Sequence, residues 1–333
     1  MKRILIIQTA FIGDVILATP LIEKLKRFYP KSEIDFLLRK GNEGLLKDHP
    51  KINQILSWDK KNSKYNSLAK LGREVRSNKY DLLINLQRFA SSGLLTTSSK
   101  AKVKIGFAKN PFSFAYTHKF PHVIDQEMHE VHRNLSLIEG LTDSSFQAPV
   151  LYPSESDFEK IASLQKSGAY YCVAPASVWF TKQFPAEKWI EMIDKVKHDI
   201  PIYLLGAPSD LDTCAEIQEK SIHGNIRILA GELTFLQSAA LMKGARMNFV
   251  NDSAPLHIAS AMNAAVTAIF CSTIPQFGFG PLSEKSRVIE TNESLDCRPC
   301  GLHGKKTCPK GHFKCAYTID TSEILKFGKN KSR

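Results

Sequence analysis

The 333-residue sequence holds no run of about 18 uninterrupted apolar residues, so no stretch of it is long enough to cross a bilayer as a helix. Its longest apolar stretches, such as Ala264 to Cys271, have the length of a buried strand. The start, Met1-Lys2-Arg3-Ile4-Leu5-Ile6-Ile7, imitates a secretion signal, but Gln8 and Asp14 interrupt it and no small-residue cleavage site follows. It reads as a first strand. Two nucleotide signatures are also missing. Thr9-Ala10-Phe11-Ile12-Gly13-Asp14 offers one glycine where a dinucleotide fingerprint needs three, and GxxxxGK[ST] occurs nowhere, which removes the dehydrogenase and P-loop readings. The seven cysteines are an odd number, and Cys172, Cys214 and Cys271 sit inside apolar runs where a thiol packs as a small hydrophobe. A reducing cytoplasm is expected.

What is present describes a globular protein. Hydrophobic residues make up 43% and charged residues 23%, enough apolar matter for a sizeable core, and the length suits two ordinary domains. Lys plus Arg number 45 against 33 Asp plus Glu, a net charge of +12 that favours an anionic partner. A nucleotide, a phosphorylated glycan, a nucleic acid and an acidic membrane surface all qualify, while part of the excess is simply solvated surface.

Short apolar runs alternate with amphipathic stretches. Ile4 to Ile7, Ile34 to Leu38 and Asp81 to Leu86 read as strands of a parallel sheet. Between the first two, Val15, Ala18, Leu21, Ile22, Leu25 and Phe28 recur at helical spacing and predict one core-facing stripe, with a kink or restart at Pro20. A second series runs through Tyr170 to Ala174, Ile202 to Leu205, Ile226 to Leu229, Met247 to Val250 and Val266 to Phe270. The pattern predicts two α/β domains, each a doubly wound parallel sheet, facing across a cleft. The expected domains are 1–165 and 166–320, followed by a basic tail, 321–333, frayed from Lys326 onward.

Three strand-end loops carry chemistry. Gly13-Asp14 opens the first helix, where a carboxylate serves either as a cap or as an ionised base. Asn251-Asp252-Ser253-Ala254-Pro255-Leu256-His257 is a strand-to-helix turn whose unpaired N–H groups suit an anion, with Ser253 and His257 one helical turn apart; a capped helix with a packed histidine is the plainer reading. Ser177, Thr181 and Lys182 bring hydroxyls and an ammonium to a third loop, as a phosphate requires, although a lone loop lysine is ordinarily just solvated.

In combination, Ile-Gly-Asp14-Val, Lys182-Gln-Phe-Pro, Gly206-Ala-Pro-Ser-Asp210, Asn-Asp252-Ser-Ala-Pro-Leu-His257 and the cysteine-rich end resemble glycosyltransferase family 9, the ADP-heptose:lipopolysaccharide heptosyltransferases, in order from about Arg3 to Asp320. The resemblance implies a GT-B fold and metal-independent, inverting transfer of a heptose from ADP-heptose to a lipid-linked inner-core acceptor, without a cofactor. It implies that Asp14 is the general base, with Thr9 and Gly13 beside it on the acceptor side. Lys182, the second catalytic residue, would bind the diphosphate with Ser177, Asp210 the ribose, Leu233 the adenine, and Asp252, Ser253 and His257 the phosphates and sugar, with Thr181 and Ala254 also in the nucleotide-sugar site. Two positions depart from the family pattern: Ala254 stands where glycine is common, and Gln8 where a basic residue is common, which puts in question how anionic the acceptor is. Another nucleotide sugar or acceptor within the family is the alternative.

Acceptor contacts are also expected from Arg88, Lys100, Lys102 and Lys104. The spacing Cys297-x2-Cys300-x7-Cys308-x6-Cys315 admits structural zinc, with a reduced or disulfide-closed loop as the competing reading. A basic zinc module using Lys305, Lys306, Lys310 and Lys314 on nucleic acid is the remote alternative; it leaves both α/β series unexplained. The expected setting is cytoplasmic, with reversible peripheral contact at the anionic inner face of the inner membrane and no nucleic-acid partner.

Overall fold

Ile4, Leu5, Ile6 and Ile7 are each fully buried, as a strand covered on both faces must be, and they form the centre of the first of two sheets. The computed structural model describes residues 1–124, 128–166 and 168–326, and the chain divides into two units, Met1–Tyr152 and Pro153–Arg333.

The first unit runs β1 (Arg3–Ile7), α1 (Ile12–Phe28), β2 (Glu33–Arg39), β3 (Gln54–Trp58), α2 (Lys64–Ser77), β4 (Leu82–Asn85), α3 (Ala90–Ser98), β5 (Val103–Phe107), β6 (His118–Phe120) and α4 (Glu130–Ser136). Its strands are all parallel in the order β3-β2-β1-β4-β5-β6. The second unit runs α5 (Glu155–Gln165), β7 (Tyr171–Ala174), α6 (Ala186–Ile193), β8 (Ile202–Leu204), α7 (Leu211–Lys220), β9 (Ile226–Ile228), α8 (Phe235–Gly244), β10 (Met247–Asn251), α9 (Ala254–Ala261), β11 (Val266–Ile269), β12 (Ser286–Ile289), α10 (Lys314–Tyr317) and α11 (Thr321–Ile324). Its parallel order, β12-β11-β10-β7-β8-β9, repeats the first. Both are the doubly wound sheets expected. In each, the strand order reverses between the first and fourth strands, and an open parallel sheet offers a ligand crevice at the carboxyl ends of such a pair.

Expectations for α1 and for the ends of the second unit need correction. Helix α1 neither breaks nor restarts at Pro20. Proline cannot donate to the Ile16 carbonyl; the Thr19 hydroxyl does so instead, at 2.8 Å, and itself accepts from the Val150 N–H at 3.0 Å. Nor does α1 bury a single stripe: every residue from Val15 to Leu25 is buried, because α4 covers the side away from the sheet. Even Lys24 is enclosed, its ammonium 2.9 Å from Asp143. The unit boundary, finally, lies ahead of the expected 165/166 because α5 packs on α8 of the second unit. At the other end the expected tail begins with helix α11, whose Ile324 is fully buried in the core of that unit. Most of the expected frayed segment, 327–333, lies outside the described residues. Among the described residues no helix is long and apolar enough to cross a membrane.

Thr19→Val keeps the shape of the side chain and leaves the Ile16 carbonyl and Val150 N–H without their partner. Urea unfolding is expected to show a loss of about 1–3 kcal/mol with an unchanged m-value, and an unaltered midpoint would show that Pro20 needs no such compensation.

Candidate functional site

At the switch point of the second sheet, β10 ends in Asn251, which has no exposed surface. Its side-chain oxygen accepts from the Phe184 N–H at 3.0 Å and its amide nitrogen donates to the Pro175 carbonyl at 2.7 Å. One amide thus fixes the loop after β7 and the segment carrying Lys182 relative to the turn that enters α9. Lys182 lies 2.7 Å from the Asp252 carboxylate, whose same oxygen accepts from the Thr273 hydroxyl at 2.6 Å. The Lys182 side chain keeps 16% of its surface exposed. Gly304 adopts a left-handed φ of +73°, and a Cβ there would press on Lys182 and Trp179, so the loop over the lysine requires glycine.

Ser253 is the N-cap of α9 without placing its hydroxyl on the helix, and its side chain reaches only the Asn251 carbonyl at 3.4 Å. Ala254 and Pro255 form the first turn. Ala254 is not among the residues with positive φ, so alanine fits this turn without strain. His257 is buried one turn further along, edge-on to Phe279 at 6.3 Å. Asp210 closes its own turn, accepting from the Ala207 N–H at 2.8 Å. A Cβ on Gly206 would meet Asp210, and the Gly231 N–H donates to the Gly206 carbonyl at 2.9 Å, which brings the loops bearing Asp210 and Leu233 together beyond β8 and β9. Ser177, partly exposed, lies on the β7 loop, its carbonyl held by Gln183 at 2.5 Å. Thr181 is 1% exposed, and its hydroxyl accepts from Ser272 and from the Lys305 N–H, so it fastens the loop beside Lys182.

In the first unit Asp14 occupies the third position of α1 and accepts from the Phe11 N–H at 3.2 Å. The cap reading is therefore realised, and the helix N-terminus favours the ionised carboxylate. Thr9 is buried and accepts the Lys60 ammonium on both its carbonyl, at 2.8 Å, and its hydroxyl, at 3.0 Å. Burial, with Arg39 and Lys64 nearby, lowers that lysine to about 8. Gln8 is enclosed and accepts from the side chain of Gln87, whose own N–H donates to Asn85 at 2.9 Å. Asn85 ends β4 as Asn251 ends β10. Behind Asp14 lies a buried pair, Glu130 with Arg133. Burial pushes Glu130 up to about 7 despite the Arg133 charge, and the charge of Asp14 adds to the rise.

Of the expected acceptor cations only Arg88 follows a carboxyl strand end. Lys100 and Lys102 precede β5 and Lys104 is its second residue, all toward the amino edge of the sheet; Lys102 pairs with Asp81 at 2.8 Å. Nothing in the linear pattern marks Lys60, Asn85 or Thr273, since each matters through a partner distant in the chain. Asn251 opens the strand-to-helix motif but carries no assigned role there, although an asparagine closing an apolar strand is a legible signal.

The four late cysteines share one shallow cavity with Lys305 and His312. All are free thiols, and among the described residues no three His, Cys, Asp or Glu side chains are placed to share a metal ion, so the spacing that suggested zinc is not matched by the geometry. Cys308 is the distinct one. Burial opposes its ionisation, yet backbone N–H groups of Phe313, Lys310, Gly311 and His312 hydrogen-bond to its sulfur and hold the thiol below its ordinary value. Cys315 packs with Phe313 and Ala316 into the core of the second unit, so the segment is not a separable nucleic-acid module.

The sequence model of glycosyltransferase family 9 (heptosyltransferase) matches residues 68–311. Lipopolysaccharide heptosyltransferase 3 of Escherichia coli is 30% identical over 277 residues, 79% of this chain and 82% of its own length. Among solved structures, a family 9 glycosyltransferase from Veillonella parvula aligns with a TM-score of 0.85 at 23% identity, covering 98% of this chain and 96% of that one. An E. coli heptosyltransferase with ADP aligns at 0.70 and 19% identity, covering 86% and 92%. These two show the fold.

The Glu130 carboxyl provides a test of the buried pair. Its ordinary value is 4.5 and its folded value about 7, so the folded chain binds the extra proton between them. Its contribution to stability is full below the lower value and is lost as pH rises through the upper one. Unfolding measurements across that window should therefore show Glu130→Gln gaining on the parent as pH rises. A variant that instead loses ground would show that the Arg133 ion pair outweighs burial.

Proposed function

The chain belongs to glycosyltransferase family 9, the heptosyltransferases, and from that premise we propose that it transfers a heptose from ADP-heptose to an inner-core position of a lipid-linked lipopolysaccharide acceptor, with inversion at the anomeric carbon. The carrying observation is the ammonium of Lys182, held by Asp252 beside the first turn of α9 at the switch point of the second sheet. A diphosphate that departs gains negative charge, and a cation plus the unpaired N–H groups of a helix N-terminus can offset it. In the resting chain Asp252 keeps Lys182 in place; an arriving diphosphate competes for the same ammonium. Ser177, Ser253, Ala254 and His257 line this proposed donor site, with Asp210 toward the ribose and Leu233 toward the adenine.

Asp14 is the proposed base, in an acceptor-binding unit that also contributes Thr9 and Gly13. It takes the proton from the attacking acceptor hydroxyl, and its place in the first turn of α1 favours the carboxylate form that can accept it. The proposed setting is cytoplasmic, with reversible contact at the inner face of the inner membrane. The net charge of +12 supports that contact, at about 1 kcal/mol or less for each cation near an anionic surface.

Asp14→Asn preserves an acceptor for the Phe11 N–H while removing the base. Transfer should fall roughly 10²- to 10⁴-fold with ADP affinity and melting temperature unchanged; near-normal turnover would rule Asp14 out. Chelation tests the diphosphate assignment. Turnover and donor binding should survive EDTA, and a loss restored by Mg²⁺ or Mn²⁺ would assign charge neutralisation to a cation that Lys182 does not replace.

A further inference from the structure

Parallel strands place their carboxyl ends on one edge of the sheet, and in the first unit the loops leaving β1, β4 and β5 at that edge each present a large apolar ring to solvent. Phe11 follows β1 and is 55% exposed, Phe89 follows β4 at 57%, and Phe114 follows β5 at 76%. The last two belong to one surface. The Asn110 amide donates to the carbonyls of Gln87 at 2.9 Å and Phe89 at 3.0 Å, tying the β5 loop to the β4 loop. A Cβ on Gly93 would collide with Asn110 and Phe112, so α3 lies directly against that loop, with its Leu94 47% exposed. The rings of Phe112 and Phe114 stand 6.1 Å apart.

Cations accompany the rings. The Arg88 guanidinium is 5.6 Å from the Phe89 ring and that of Arg39 is 5.9 Å from Phe11. Lys109 lies between β5 and Phe114. Single exposed hydrophobics are ordinary, but aromatic rings gathered with arginine and lysine on one stapled edge match the layered chemistry of an anionic bilayer. Rings enter the boundary between headgroups and acyl chains, and cations meet the lipid phosphates.

We propose that this edge docks on an anionic lipid bilayer, with Phe89 and Phe114 entering the headgroup boundary and Arg88 and Lys109 on lipid phosphates. The edge that carries Asp14 is then the one that faces the membrane, so a lipid-linked acceptor is met where it is anchored. The inference rests on the reading of the acceptor as lipid-linked, and it gives the attachment an apolar component that salt does not screen.

The test uses the full chain and vesicles of phosphatidylcholine alone or mixed with an equal part of phosphatidylglycerol. The parent should sediment with the mixed vesicles only, and Phe89→Ser combined with Phe114→Ser should weaken that binding about tenfold or more at one fixed salt concentration, with melting temperature unchanged. In Phe114→Trp the emission should shift to the blue with mixed vesicles and be quenched by brominated lipid. Equal binding by the parent and the double variant, or an indole indifferent to saturating vesicles, would overturn the proposal. Self-association abolished by the double variant, without vesicle binding, would give the face to a second copy of the chain. Transfer to a water-soluble acceptor fragment separates the two readings: if it persists while docking fails, only the docking edge is wrong, and if it is absent while docking holds, the transferase reading fails instead.

Discussion

The amide of Asn251 decides where the chemistry of the second unit can sit. A parallel sheet ends in loops that are otherwise free to choose their paths, and a buried amide with one donor and one acceptor engaged removes that freedom. By accepting from Phe184 and donating to Pro175, Asn251 holds two loops against the start of α9, and Lys182 meets Asp252 as a result. An unpaired buried amide is costly, so neither bond can be surrendered cheaply. The first unit uses the same device: Asn85, at the equivalent strand end, takes the Gln87 N–H and donates to Thr96 and Tyr116, fixing the loop that bears Arg88 and Phe89.

Electrostatics follow from these fixed points. Lys182 is balanced by Asp252 in the resting chain, which keeps a buried-edge cation tolerable while leaving it available to a stronger anion. In the first unit, two groups on the elements around Arg133 are held away from full ionisation by burial. Glu130 is pushed up to about 7, mainly by burial, and His122 is lowered to about 4 by burial reinforced by Arg133, Lys109 and Arg88.

The fold was readable wherever burial leaves an unmistakable mark. Runs such as Ile4 to Ile7 and Met247 to Val250 are apolar because both sheet faces are covered, and they were recognised. The edge strands β3, β6 and β12, and β5 beside an edge, were not, because they carry residues such as Gln54, Lys104, His118 and Arg287 that break the run. The continuity of α1 through Pro20 was not legible, since it is accompanied by a hydroxyl one residue earlier that also binds the distant Val150. In each unit the candidate residues were legible as strand-end loops. What the loops do to one another was not, because the Asn251, Thr273 and Lys60 contacts join residues far apart in sequence. Lys100, Lys102 and Lys104 show the converse error: charge density along the chain says nothing about which edge of a sheet the charges occupy.

The central claim is that these residues serve heptosyl transfer with inversion. It is tested most directly by incubating the protein with ADP-heptose of defined anomeric configuration and a heptose-deficient lipopolysaccharide acceptor, and determining the new linkage by NMR. The account predicts a single added heptose whose anomeric configuration is opposite to that of the donor. A product with retained configuration, or no transfer while a different nucleotide sugar is consumed, would contradict it.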